Sequence, residues 1–322
     1  MKRFFCAAIL TAAMLLSIPL GARAAELLVP VGRIIGLQLQ DDTVTVAAFD
    51  DALGSRAKDA GLCIGDEILT IDGMTIDCAE DVRSALDACS GTVSLTVRRS
   101  GKTKELHLSP AQTDEGPRLG VYLRQGIAGI GTVTWYDPDT DKFGTLGHGV
   151  SSADGELLDM TTGSAFLAQI QSVKKGRSGD PGQLRGSAET FRVCGKLLRN
   201  TPQGVFGINR EGWPGEPLPV ASYGEIRTGE ATIRSTIQGD TPREYSVEIL
   251  KIYPEDRPDS RNFLLKVTDP TLLAATGGIV QGMSGSPICQ NGKIVGAVTH
   301  VLVNDPTTGY GIFIENMLDA AG

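Results

Sequence analysis

Histidine is scarce in this chain, with three in 322 residues: His107, His148 and His300. None lies in an H-E-x-x-H pattern, and none of the six cysteines forms a C-x-x-C pair. A zinc site or a metalloprotease therefore has no sequence support, and no metal is expected. Cysteine is also too sparse for a disulfide framework. One cysteine, Cys6, sits in the N-terminal apolar segment, which leaves Cys63, Cys78, Cys89, Cys194 and Cys289, an odd number. Cys78 and Cys89 flank an expected helix whose rise would put them about 16 Å apart, beyond the roughly 7 Å that a bridge tolerates. Positive charge is in deficit as well. The formal net charge of -8 argues against a nucleic-acid binder, which carries a basic face, so protein partners are expected.

What is present begins with an export signal. Lys2 and Arg3 precede an apolar, uncharged run from Phe4 to Leu20, followed by Ala22-Arg23-Ala24, a small-x-small pattern of the kind signal peptidase accepts. Residues 1–25 read as a signal peptide or a membrane anchor, since such a run lies at the lower limit for spanning a bilayer. The remaining length has room for two domains.

Residues 27–110 alternate short strands with two helices. Strands are expected at Leu27 to Val31, Thr43 to Ala48 and Glu67 to Ile71, the last ending at Asp72-Gly73. Ser55 to Ala60 reads as a short helix. Ala79 to Ala88 reads as an amphipathic helix with Val82, Ala85 and Leu86 on one face. A hairpin turning at Ser100-Gly101 closes the module, and His107 falls on its last strand as an exposed residue. The polar stretch Gln112 to Arg118, with Gly116-Pro117, reads as a boundary. Beyond it, residues 118–322 form many short strands separated by Gly and Pro turns, the pattern of an all-β sandwich or barrel. The basic loop Lys174 to Gly186 lacks the Walker spacing and reads as a solvated loop open to proteolysis.

The chemistry concentrates in Gly282-Met283-Ser284-Gly285-Ser286-Pro287. A serine between glycines suits a nucleophile on a tight turn, and a serine needs a base. His148, in Gly147-His148-Gly149, precedes Ser284 by 136 residues. An α/β-hydrolase would place its histidine last and want glycine where Ser286 stands.

Histidine far ahead of a Gly-x-Ser-Gly-x-Pro turn resembles the chymotrypsin-like serine proteases. Together with Phe143 to Val150, the run from Gly277-Gly278-Ile279-Val280 through Asn291-Gly292-Lys293 to Gly309-Tyr310-Gly311 resembles the stage IV sporulation protein B peptidase family, signalling serine proteases of spore-forming bacteria. Ala60-Gly61-Leu62-Cys63-Ile64-Gly65-Asp66 resembles the PDZ signature. The resemblance implies a mainly β protein: an N-terminal α+β PDZ domain, then a chymotrypsin-like double β-barrel. It implies His148, Asp269 and Ser284 as the triad, although Asp269 lies only 15 residues before Ser284, on the second barrel rather than the first. The backbone N–H groups of Gly282 and Ser284 would form the oxyanion hole. His300 and Tyr310 would wall the substrate pocket, and Ile34, Ile35, Gly36 and Leu37 would hold a peptide carboxylate at the PDZ groove.

The implied substrate is a membrane-tethered regulatory protein, cut in the forespore intermembrane space to trigger regulated proteolysis and sigma-factor activation. Self-cleavage is also implied, and no cofactor. A heat-shock quality-control protease would carry its PDZ domain after the protease. A non-catalytic peptide-binding scaffold would have no use for both His148 and Ser284.

Overall fold

The computed structural model describes residues 27–152 and 155–322; the expected export segment lies outside them. Among the described residues, strands β1 to β20 and helices α1 to α4 follow one another in chain order. No helix among them is long and apolar enough to cross a membrane.

Two closed six-stranded barrels dominate, as expected. The second is built from one stretch of chain: β15 (Gly229–Ser235), β16 (Arg243–Ile252), β17 (Phe263–Val267), β18 (Pro287–Gln290), β19 (Lys293–Leu302) and β20 (Asp305–Phe313), closing in the order β15-β16-β17-β20-β19-β18. Along β16, Tyr245, Val247 and Ile249 are buried while Glu244, Ser246 and Glu248 are exposed, the period-2 alternation of a strand with one wet face. Its core includes Ile233, Val247, Leu265, Ile288 and Phe313. The β18–β19 hairpin turns at Asn291 and Gly292, whose φ values of 52° and 72° are those of a type I′ turn. Helices α3 (Pro270–Thr276) and α4 (Ile314–Ala321) follow β17 and β20.

The first barrel is assembled from distant pieces. It uses β2 (Ile34–Phe49), β9 (Val121–Tyr136), β10 (Lys142–Thr145), β11 (Thr162–Lys174), β12 (Gln183–Thr201) and β13 (Gly204–Ile208). The order β9-β10-β13-β12-β11-β2 closes through pairing of β2 with β9. Strand β1 (Leu27–Pro30) joins its edge at Trp135 and Tyr136, with β14 (Leu218–Pro219) outside it.

Strands β2 and β9 then leave the barrel together and enter a smaller α+β lobe. They pair from Ile34↔Thr132 to Leu39↔Ile127 in the barrel and from Val44↔Gln125 to Phe49↔Val121 in the lobe. Between the two stretches the chain bends at Gly126, where φ is +71° and a Cβ would lie 1.9 Å from the Leu39 carbonyl oxygen; only glycine fits there. The lobe adds α1 (Ser55–Asp59), β3 (Glu67–Ile71), β4 (Met74–Thr75), α2 (Ala79–Ala88), β5 (Val93–Arg99) and β6 (Lys102–Leu108), with a small hairpin of β7 (Ala111–Thr113) and β8 (Gly116–Arg118). Val82, Ala85 and Leu86 of α2 enter a core of its own, with Val44, Ile68, Leu95 and Leu119. The Gly65-Asp66 signature has a structural reason. Asp66 is fully buried; burial would raise its pKa, but hydrogen bonds from Arg99 and the Cys63 N–H outweigh that and hold it below the usual range.

Two expectations are corrected. The module does not begin at residue 27, because Leu27 to Leu39 are strands of the first barrel; the lobe is inserted into that barrel rather than placed before it. Nor can Ile34, Ile35, Gly36 and Leu37 hold a carboxylate. They lie mid-strand, paired to β9 on one side, with Ile35 to Leu37 also paired to β11 on the other. Ile34, Ile35 and Leu37 are buried, so neither a free loop nor a groove exists there. The short strand reads the same from sequence in either domain, which is why the pattern misled.

Candidate active site

One loop from each barrel meets the other where the two barrels touch. On the second barrel, Val280 to Ser286 forms a compact turn before β18. The Met283 N–H donates to the Val280 carbonyl at 3.1 Å, Ser286 N–H to Met283 at 3.0 Å, and Gly285 N–H to Val298 of β19 at 2.7 Å. The Met283 side chain is fully buried and anchors the turn. Two N–H groups on this turn, those of Gly282 and Ser284, meet no acceptor among the described residues. Free, neighbouring backbone donors beside a serine can stabilise a developing oxyanion.

The first barrel grips this turn through β9. Thr132 accepts nothing from the turn but gives it two bonds' worth of order: its N–H donates to the Ser284 carbonyl at 3.1 Å and its hydroxyl to the Gly282 carbonyl at 2.9 Å. Thr134 donates to the Gly285 carbonyl at 2.7 Å. Gly285 has φ +93°, and a Cβ there would sit 2.0 Å from the Thr132 carbonyl oxygen, so the interface requires glycine. The sequence carries a trace of this device in the alternating threonines of Gly131-Thr132-Val133-Thr134, which put two hydroxyls on one face of a strand.

His148 follows β10 after a left-handed pair, Leu146 (φ 71°) and Gly147 (φ 68°). A non-glycine residue in this region is sparsely populated and stores strain, as functional turns often do. Thr145 ties the turn to β9 through a 2.6 Å bond to the Thr132 carbonyl. The next residues are held by Asn200, whose side chain accepts from Val150 N–H and donates to the Val150 and Leu158 carbonyls. His148 Nδ1 lies 2.9 Å from the Gly149 carbonyl oxygen. Nδ1 as the donor there leaves Nε2 unprotonated and able to accept. Burial lowers the His148 pKa, an effect partly opposed by the Gly149 carbonyl.

The structure brings His148 beside His300 and ties Ser284 to Thr299, the residue before His300. The His148 and His300 ring centroids are 5.2 Å apart. A Cβ on Gly147 would lie 2.9 Å from the Thr299 side chain, and the Ser284 hydroxyl donates to the Thr299 carbonyl at 2.6 Å. Burial, then the neighbouring His148, push the His300 pKa down to about 4. Tyr310 pairs with His300 across the β19–β20 ladder, and its ring lies under the Arg261 guanidinium at 5.1 Å.

Asp269 is placed elsewhere. It caps α3, accepting from Leu272 N–H at 2.9 Å, and its other oxygen faces the Ser246 N–H at 3.5 Å. Its carboxylate makes no hydrogen bond to His148. Asp before Pro at the start of a helix is itself an N-cap signature. The expectation of His107 as an exposed strand residue agrees with its position on β6 opposite Ser94. Among the described residues, no group of three or more His, Cys, Asp or Glu side chains could hold a metal.

Residues 115–318 match the family described as SpoIVB peptidase S55. Curated relatives include a putative zinc metalloprotease of Agrobacterium fabrum, 33% identical over 148 residues, covering 44% of this chain and 37% of the relative. Another from Rhizobium meliloti is 32% identical over 100 residues, covering 31% of this chain and 26% of the relative. The chain thus spans about a third of the length of these relatives. Similar solved structures include the active form of the Rv3671c protease from M. tuberculosis, at 17% identity and TM-score 0.34, covering 62% of this chain and 75% of that one. The PDZ domain of an SdrC-like protein from Listeria monocytogenes aligns at 24% identity and TM-score 0.23, covering 26% of this chain and 87% of that one.

Proposed function

The chain belongs to the SpoIVB peptidase S55 family, and from that premise we propose that it is an exported serine endopeptidase of sporulation signalling whose nucleophile is Ser284. In this reading His148 Nε2 takes the Ser284 proton as the hydroxyl oxygen attacks the scissile carbonyl. The negative charge forming on the carbonyl oxygen falls between the Gly282 and Ser284 N–H groups. His148 then returns the proton to the leaving amine, and water repeats the cycle on the acyl-enzyme. The observation that carries this reading is the pair of N–H groups on the Ser284 turn that meet no acceptor among the described residues, on a turn packed at Gly285 against Leu146, two residues before His148.

The substrate would be a membrane-tethered regulatory protein in the forespore intermembrane space, with the protein itself as a second substrate. Selection of partners falls to the lobe. Val121 to Leu123 of β9 pair with β2 on one side, while their stretch of chain and helix α2 line a cleft of about 700 Å³ that includes Leu53, Val82, Leu86, Leu119 and Val121. An extended C-terminal peptide could add there as a further strand, with alternate side chains entering the apolar cleft.

The test is incubation of the purified protein beside its Ser284→Ala form, with mass spectrometry of the fragments. Cleavage in the parent alone is expected. Equal fragmentation of both would remove Ser284 from the mechanism. Intact chains in both, even with a peptide in the lobe cleft, would favour a binding scaffold.

A further inference from the structure

Strand β19 carries an extra residue where it passes the nucleophile. Val298 pairs with Gly311 and His300 with Tyr310, so Thr299 is bulged out of the ladder. Bulges of this kind re-aim groups beside functional sites. The Thr299 carbonyl accepts the Ser284 hydroxyl at 2.6 Å. The Thr299 hydroxyl is buried without a hydrogen-bond partner among the described residues, on a residue only 4% exposed. An unpaired buried hydroxyl is destabilising, so the bulge is unsatisfied as it stands.

A serine hydroxyl has one proton to give. While Ser284 donates it to Thr299 it cannot donate it to His148, and the nucleophile is held away from its base. The same strand offers a means of release. Strand β18 pairs with β19 only at Lys293 to Ala297, and beyond that point β19 pairs only with β20. Its other edge, at Thr299 to Leu302, carries no strand among the described residues.

Resting on the reading of Ser284 as nucleophile, we propose that the Thr299 carbonyl is a latch on Ser284 that the substrate's own backbone releases. An extended peptide laid along the open edge of β19 presents a main-chain N–H to the Thr299 carbonyl. That N–H takes the place of the Ser284 hydroxyl, which turns to His148 Nε2. No bond other than hydrogen bonds changes in this step. The ligand class is any extended peptide with a free main-chain N–H at that register, so the enzyme rests until a peptide strand is seated. The docked strand also gives the unpaired Thr299 hydroxyl a polar neighbour.

The latch makes a prediction opposite in sign to simple competition. Acyl-dipeptide N-methylamides end in the required N–H yet leave the oxyanion site empty; the matching N,N-dimethylamides, N-methylated at both internal amides as well, carry no main-chain N–H. Phosphonylation of Ser284 by a small alkyl fluorophosphonate is followed by intact-protein mass spectrometry, with either peptide mixture added at millimolar concentration. The methylamides are expected to speed labelling by about 10-fold, the order of one net hydrogen bond, and the dimethylamides to leave it unchanged. Methylamides that slow labelling, leave it unchanged, or act as the dimethylamides do would overturn the latch while leaving the nucleophile in place. Absence of labelling in the parent under every condition, as in Ser284→Ala, would overturn the nucleophile reading and the latch with it.

Discussion

The two barrels reach the same closed six-stranded form by different routes. The second is contiguous, from Gly229 to Phe313, and carries the Ser284 turn in the loop that leads into β18. The first takes one of its strands from before the inserted lobe and the rest from after it: Ile34 to Leu39 must meet Ile127 to Thr132 across the whole lobe. Closing such a loop costs entropy that grows only slowly with its length. A lobe with its own core lowers the cost further, because it folds the intervening chain and brings β2 and β9 together. The contrast teaches that the lobe is part of how the first barrel closes, and thus of how His148 is set opposite Ser284.

The most severe break in this comparison is deletion of residues 27–39. It removes β1 and the barrel half of β2, and should leave the first barrel open, with complete loss of activity and of cooperative unfolding. Replacing Gln40 to Gly126 by an Asn-Gly turn between the paired residues Leu39 and Ile127 should instead retain both barrels, since such a turn suits a two-residue hairpin. Circular dichroism and cleavage of a casein-type substrate report both outcomes. Collapse of the second variant would show that the lobe also holds the barrel closed after folding.

Within the second barrel, Gly282→Val should lower kcat by roughly 10²- to 10³-fold, the usual cost of losing an oxyanion donor. Gly282 has φ +98°, a backbone that valine cannot adopt without strain. Unchanged kcat would take the Gly282 N–H out of the oxyanion site.

Asp269 separates a helix cap from a triad acid. Asp269→Ala should destabilise α3 by about 1 kcal/mol, while Asp269→Ser keeps a capping oxygen and should retain both stability and activity. A stable but inactive serine variant would return Asp269 to the triad.

The smallest effect concerns pH. His148 must be neutral to act as base, and burial lowers its pKa below the ordinary 6.5. The acidic limb of kcat/KM should therefore fall below pH 6.5. A midpoint above 6.5 would mean that a carboxylate faces His148 in the working enzyme.

Much of this was legible in the sequence. The α2 helix, the hairpin at Ser100-Gly101, the Asp72-Gly73 turn and the all-β second half follow from local periodicity and turn chemistry. Ser284 and His148 were marked by their glycine turns. Thr132, Thr134 and Asn200 were not, because each acts on backbone groups far away in sequence, 150 positions in the case of Thr132 and Gly282; Thr299 was not, because it meets Ser284 through its main-chain carbonyl, a group its side-chain type does not mark. A threonine in a strand looks the same whether its hydroxyl meets water or a catalytic turn.

The sequence alone determined which residues can be chemically active, where strands alternate, and where the chain must turn, since these depend on side-chain type and short-range sterics. Only the tertiary structure decided that Leu27 to Leu39 belong to the first barrel, that the lobe is an insertion, and that Asp269 caps a helix. It also decided that Thr299 holds the serine. Those outcomes depend on which strand edges and carbonyls meet across the fold, and backbone hydrogen bonding, being common to all residues, leaves no mark in the order of side chains.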